Sequence, residues 1–117
     1  MSTPQRIALA ESGDVTVVTF ADSKIIDEQA IQELGQELYD LVERDNRGKL
    51  VLNFAAVEFL SSAALGKLIS FEKKARTRKA KLMLTNIRPE IYEVFAITKL
   101  TKLFTIKDDE ADALAVL

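Results

Sequence analysis

The chain opens on alternation. Ile7 and Leu9 fall on one side of an extended segment, and residues 15–20 are rich in β-branched and aromatic side chains. Ser12-Gly13-Asp14 between them is a cluster of turn formers, so the opening reads as a hairpin of two strands. Residues 21–23 break the pattern, and residues 24–26 read as a short extended piece. Asp27 then offers a helix N-cap, with Glu28 placing negative charge in the first turn. Ile31, Leu34, Leu38, Leu41 and Val42 recur at three- and four-residue steps, which predicts an amphipathic helix over residues 28–44, ending near Asp45-Asn46. Gly35 lies within it at a cost of about 1 kcal/mol relative to Ala. A close helix–sheet approach is the expected reason.

Residues 49–54 (KLVLNF) are almost continuously apolar. That suggests a strand buried on both faces, as in a parallel or mixed sheet covered by helices. Residues 55–60 read as a short connection. Ser61-Ser62 then precede a helical pattern over residues 63–76, with Ala63, Ala64, Leu65, Leu68, Ile69, Phe71 and Ala75. Residues 81–85 form the next strand and residues 86–88 a loop. Pro89 opens a helix where its missing N–H is harmless, with Ile91, Val94, Phe95 and Ile97 expected on its buried side. Residues 103–106 are a last short strand and residues 108–116 a terminal helix. Strand–helix–strand units in the middle of the chain predict an α/β fold in which those strands run parallel.

Composition narrows the chemistry. At 117 residues the chain suits one domain, read as residues 1–117. Cys and His are both absent, which excludes disulfides, thiol nucleophiles, Cys/His zinc sites and a Ser-His-Asp triad. No Gly-rich phosphate loop is present, and no convergent carboxylate pair stands out. Glu33, Glu37, Asp40 and Glu43 sit mainly off the apolar stripe and are expected in solvent. Tyr39 and Tyr92 read as packing residues with polar tips. Residues 1–10 have no charged start followed by an apolar run, and nothing approaches a membrane span, so a soluble, cytoplasmic protein is expected. The net charge of −2 gives no global steering toward nucleic acid.

The stretch from Leu50 to Gly66 carries the most information. A buried strand runs into a short loop, and two serines stand at a helix start. Hydroxyls there lie near free backbone N–H groups and the positive helix end, a place that accommodates phosphate. One of the serines acting only as an N-cap is the simpler reading.

These residues resemble the STAS domains of anti-sigma factor antagonists. In that family the strand leads to a motif of the form Phe-Met-Asp-Ser-(Ser/Thr)-Gly-Leu-Gly at a helix start. Here Phe59 takes the first position, Leu60 the Met position, and Ser61 the position of the usual Asp. Ser62 takes the place of the phosphorylated Ser. Ala63 and Ala64 replace Ser/Thr-Gly, and Leu65 and Gly66 match. The resemblance implies a single STAS-like α/β domain: a mixed sheet with an N-terminal hairpin and helices mainly on one face. It implies a non-enzymatic module that binds an anti-sigma switch kinase and is switched off by phosphorylation. Ser62 is the first choice of site and Ser61 the second. Phe59, Ser61, Ser62, Ala63, Leu65 and Gly66 would meet the partner, and a serine phosphatase would reverse the modification. The nucleotide would belong to the kinase, leaving this chain without a cofactor. The departures at Ser61 and Ala63-Ala64 lend weight to an alternative, a STAS module that is never phosphorylated and serves as an assembly scaffold or soluble lipid-transporter component.

Residues 73–81 hold six basic side chains. They read as a solvated helix end whose cations complement the negative dipole terminus. The rival reading, a nucleic-acid site, would call for stacking aromatics that the run lacks. Titration with single- and double-stranded DNA at low salt is therefore expected to show no micromolar binding. Affinity that fades steeply with added salt, and is lost on replacing Lys74, Arg76 and Arg78, would make this run a nucleic-acid site.

Overall fold

The computed structural model describes residues 6–117, so the readings made for residues 1–10 and 1–117 lie in part outside it. The hairpin forms as the sequence predicts. β1 (Ile7–Ser12) and β2 (Val15–Phe20) pair antiparallel, and Gly13 makes the turn at a left-handed φ of 62° that suits glycine. Asp14 in the turn meets the Lys49 ammonium at 2.9 Å. The hydrogen bond from Lys49 holds that carboxyl below its ordinary range. Its contribution to stability is therefore present above the unfolded range and lost as pH falls through the folded value.

After a two-residue strand β3 (Lys24–Ile25), the chain enters helix α1 (Glu28–Glu43), capped by the Asp27 carboxylate, which accepts from the Ala30 N–H at 2.9 Å. Then come β4 (Lys49–Asn53), β5 (Phe59–Leu60), α2 (Ser62–Thr77), β6 (Lys81–Thr85) and α3 (Pro89–Ile97). A 3-10 turn (Leu100–Lys102), β7 (Thr105–Lys107) and α4 (Glu110–Val116) complete the fold. The five-stranded sheet has the order β1-β2-β4-β6-β7, and every pairing after the hairpin is parallel.

From β2 onward the strand order advances in one direction only. Parallel crossovers are right-handed, so successive crossovers that advance the same way lay their helices on the same face. The core agrees: residues of α1, α2 and α3 join Val18, Phe20, Leu50, Leu52, Leu82 and Leu84 in one cluster. The opposite face is covered by α4, which follows the last strand and crosses nothing. There Val15, Val17 and Val51 pack with Ala113, Met83, Leu114 and Leu117. Leu50, Val51 and Leu52 of β4 are fully buried, two on one face and one on the other. That double burial is why the strand reads as a continuous apolar run.

Several expectations change on contact with the structure. The last strand is β7, later than residues 103–106, because Leu100–Lys102 coils into the 3-10 turn first. On α3 only Ile91 and Phe95 are buried. Val94 and Ile97 are exposed, since a short helix lying on a sheet covers one narrow stripe, and Tyr92 is also exposed. Glu33 and Glu37 of α1 are half-buried instead of solvated. Glu37 accepts the Arg6 backbone N–H at 2.9 Å, and Glu33 accepts from the Arg6 guanidinium at 2.9 Å, so both carboxylates anchor the start of β1. The basic run is partly structural as well. Lys74 pairs with Glu43 at 3.3 Å and lies over the Tyr39 ring, while Arg78 donates to the Glu43 carbonyl and to Asn46 Oδ1.

Gly35 does mark a close approach, but the approach is helix to helix. A methyl group at this position would run into the aliphatic stem of Lys67 on α2, whose ammonium donates to Gln32 Oε1 at 3.2 Å. Gly35→Ala should therefore fail to deliver the ~1 kcal/mol that Ala ordinarily adds within a helix. In a Lys67→Ala background the obstruction is gone and the gain should appear. A denaturant-unfolding cycle over the two positions should show coupling of at least ~0.5 kcal/mol, and additive behaviour would refute the contact.

Candidate functional site

The site is built outward from the end of β4. Asn53 closes the strand: its Oδ1 accepts the Ala55 N–H at 2.8 Å, and its Nδ2 donates to Glu110 Oε1 at 2.7 Å. Phe54 and Val57 then plug back into the core and are fully buried. The Phe54 ring lies 4.8 Å from that of Phe20 and meets Phe95 edge-on at 6.4 Å. Between these plugs Ala55 and Ala56 turn in solvent, closed by a Val57 N–H to Phe54 carbonyl bond of 2.9 Å.

The rest of the supposed connection is a second small sheet. β5 pairs parallel with β3, in the register Lys24 with Phe59 and Ile25 with Leu60. The Glu58 N–H donates to the Ser23 carbonyl at 2.7 Å and the Ser61 N–H to the Ile25 carbonyl at 3.1 Å. The short extended piece expected at residues 24–26 is β3, whereas the two residues of β5 fall in what the sequence presents as a plain connection. Their effect is to fix the backbone on the approach to α2 from both directions.

The two serines divide their work. Ser61 is the N-cap: its Oγ accepts the Ala64 N–H at 3.1 Å, and its carbonyl accepts the Leu65 N–H at 3.0 Å. Ser62 is the first helical residue and is exposed. With the capping done by its neighbour, Ser62 stands at the exposed end of the helix, where backbone N–H groups and the dipole favour negative charge.

The first turns of α2, which begin at Ser62, form a ridge between two depressions. On one side a cleft of about 360 Å³ runs between β5 and α3, lined by Glu58, Phe59, Leu60, Leu65, Glu90, Ile91 and Val94. On the other a shallower groove of about 490 Å³ lies between α1 and α2, bordered by Ile26, Gln32, Ala63, Gly66, Lys67 and Ser70. Of the residues marked in the sequence, Phe59, Ser62, Ala63 and Gly66 are exposed around this ridge, and Ser61 is half-buried beneath it. Leu65 is buried and reaches the surface only as a wall of the cleft. A Cβ built on Gly66 meets nothing within 4 Å, so packing inside the chain does not require glycine there. The lining residues of α1 and α3 went unrecognised in the sequence. Val94 and Ile97, expected on the buried side of α3, are apolar residues that packing leaves uncovered. Among the described residues no group of three or more acidic side chains is placed to hold a metal ion, and no helix is long and apolar enough to cross a membrane.

The STAS domain profile matches residues 6–113, and the chain belongs to the STAS domain family. Its architecture is that of the anti-sigma factor antagonists. BtrV of Bordetella bronchiseptica, assigned as an anti-sigma factor antagonist, is 25% identical over 91 residues, 78% of each chain. The crystal structure of an anti-sigma factor antagonist from Mycobacterium paratuberculosis superposes with a TM-score of 0.80 at 25% identity, covering 94% of this chain and 91% of that one. The Bacillus cell-fate determinant SpoIIAA, solved in its phosphorylated form, shares the fold with a TM-score of 0.71 at 15% identity, covering 95% of this chain and 99% of that one.

The division between the serines can be read in stability. Ser61→Ala should cost about 1 kcal/mol, the usual loss for an N-cap. Ser62→Ala should stay within about 0.5 kcal/mol of wild type, as an exposed substitution away from special features. Gly66→Ala should gain up to about 1 kcal/mol from helix propensity, since the space is open. Urea unfolding of the three variants checks this. Equal losses at the two serines would overturn the capping assignment.

Proposed function

We infer that this chain is an anti-sigma factor antagonist: a cytoplasmic, non-enzymatic binding module for an anti-sigma switch kinase, inactivated by phosphorylation of Ser62. The observation that carries the reading is the position of Ser62, exposed on the ridge between two surface depressions while Ser61 does the capping. The relatives support it. BtrV is assigned as an anti-sigma factor antagonist, and SpoIIAA exists in a phosphorylated form. Ser62 also matches the family's phosphorylated serine in the motif.

In this mechanism the unmodified chain occupies the kinase through the surface around α2 and so releases the sigma factor. A partner that touches both the cleft and the groove spans the first turns of α2, where Ser62 is exposed. Phosphorylation adds roughly −1.5 to −2 charge and a tetrahedral group at that point. The helix N-terminus tolerates the charge, but the partner meets added bulk and a strongly hydrated dianion that must be desolvated. A serine phosphatase restores the flat hydroxyl surface.

One feature favours a second reading. The family's usual acidic residue is replaced by Ser61, whose hydroxyl is taken up in capping, so Ser62 lacks an acidic neighbour in the motif. A STAS module used as an unphosphorylated scaffold or as the soluble part of a lipid transporter would have no need of one.

The test is incubation with the histidine-kinase-like ATPase whose gene lies nearest to that of this chain, with ATP, followed by mass-spectrometric mapping. Label is expected on Ser62 and absent from Ser62→Ala, which should hold the kinase constitutively. Ser62→Asp should bind at least several-fold more weakly, though one charge imitates phosphate incompletely. Label on Ser61 alone would move the switch by one residue. No label on either serine, with binding indifferent to ATP, would support the scaffold or transporter reading.

A further inference from the structure

The cleft between β5 and α3 lies outside the serine motif, except for the shared Phe59, Leu60 and Leu65. Its walls are Phe59, Leu60, Leu65, Ile91 and Val94, and among the described residues the charged side chains lining it are Glu58 and Glu90. Both carboxylates are exposed, and among the described residues neither is in a salt bridge. Phe59 is 55% exposed and Val94 40%. Ile97, one turn further along α3 from Val94, is 74% exposed and extends the apolar strip. Two cations close by in the fold do not line the cleft: Lys24 is Phe59's register partner across the small sheet, and the Arg88 guanidinium donates to the Ala55 carbonyl.

An apolar pocket of this size fits one large aliphatic or aromatic side chain, the usual form of an interface anchor. Two carboxylates at its rim, with no cation among the described lining residues, select what surrounds that anchor. A neutral or acidic segment would leave both carboxylates desolvated and unpaired, whereas Lys or Arg beside the anchor would pair with them. We propose that this cleft receives a basic segment of the protein partner, in which a Leu, Met or Phe side chain inserts between Phe59 and Val94 and flanking Arg or Lys side chains meet Glu58 and Glu90. The proposal rests on the reading of the chain as a protein-binding module. It adds the chemistry of the partner segment, which that reading leaves open. Because the cleft is beside the ridge and not under it, the anchor confers affinity while Ser62 controls access to the neighbouring surface. The two are separable by substitution.

The experiment has two arms, both on the full chain. In the first, binding of the histidine-kinase-like ATPase whose gene lies nearest is measured by calorimetry for wild type, for Val94→Glu, and for the double variant Glu58→Lys with Glu90→Lys. All three positions are exposed, and unchanged unfolding midpoints confirm that the variants fold. Each variant is expected to bind at least tenfold more weakly, and the double variant should also lose part of the salt dependence. Wild-type binding with both variants within twofold of it would overturn the cleft assignment and leave the antagonist reading standing.

The second arm does not depend on that reading. A nonapeptide with one Leu between two Arg residues on each side, in a Gly/Ser background, is titrated into labelled protein by NMR. Shifts are expected at Phe59, Leu60, Leu65, Ile91 and Val94, and should vanish when Leu is replaced by Ser or the Arg residues by Glu. No localised shifts, or equal shifts from the acidic peptide, would overturn the proposal even where the ATPase binds.

Discussion

The double-sided burial of β4 is the constraint on which the rest depends. A strand with Leu50 and Leu52 under three helices and Val51 under α4 has no solvent face, so its chain must leave through the sheet's end. It leaves through Phe54 and Val57, both fully buried, which act as two pegs on either side of an exposed turn. Removing apolar area from water stabilises each peg by roughly 1.5–3 kcal/mol. The polypeptide that follows has little freedom. By Glu58 it is hydrogen-bonded to Ser23, and by Ser61 to Ile25. The position of the serines is thus a consequence of core packing, transmitted over a short span of ordered chain.

That origin explains which parts of the fold were legible. Period-two and period-three-to-four patterns report burial directly, so the hairpin, α1, β4, β6 and the Asp27 cap could be read from apolar spacing and one capping residue. The β3–β5 ladder could not, because two residues per strand carry no period and the pairing is made by backbone groups alone. The misreading of Val94 and Ile97 has a different cause. Apolar residues at helical spacing suggest burial, yet α3 faces the sheet along Ile91 and Phe95 only. Apolarity in excess of what packing can bury belongs to the surface, and there it borders the cleft.

The candidate site was legible in part for similar reasons. The motif located the helix start, but two adjacent serines are chemically alike and spacing alone did not say which one caps. The structure separates them by backbone geometry. Ser61 is extended, with φ −77° and ψ 166°, which lets its Oγ reach the Ala64 N–H. Ser62 already has its place in the first turn. The walls contributed by α1 and α3 come from segments far off in the chain, and no local pattern links them to the motif. Glu33 and Glu37 show the same limitation, since their partner Arg6 lies just ahead of β1, far off in the chain.

Rigidity at the helix start bears on how a switch there would act. The start is held by the Ser61 cap, by the Ile25 carbonyl that receives the Ser61 N–H, and by Leu65 packed in the core behind it. Ala63-Ala64, in place of the family's Ser/Thr-Gly, adds helix propensity at the second and third positions. A group added to Ser62 would therefore find a backbone with several bonds to break before it could rearrange. The negative charge it brings is of the sign that the helix end favours. Nothing in that balance drives the domain toward another conformation. A modification at this position must then exert its effect outward, on the solvation and shape of the ridge that a partner would touch, with the fold of the module left unchanged.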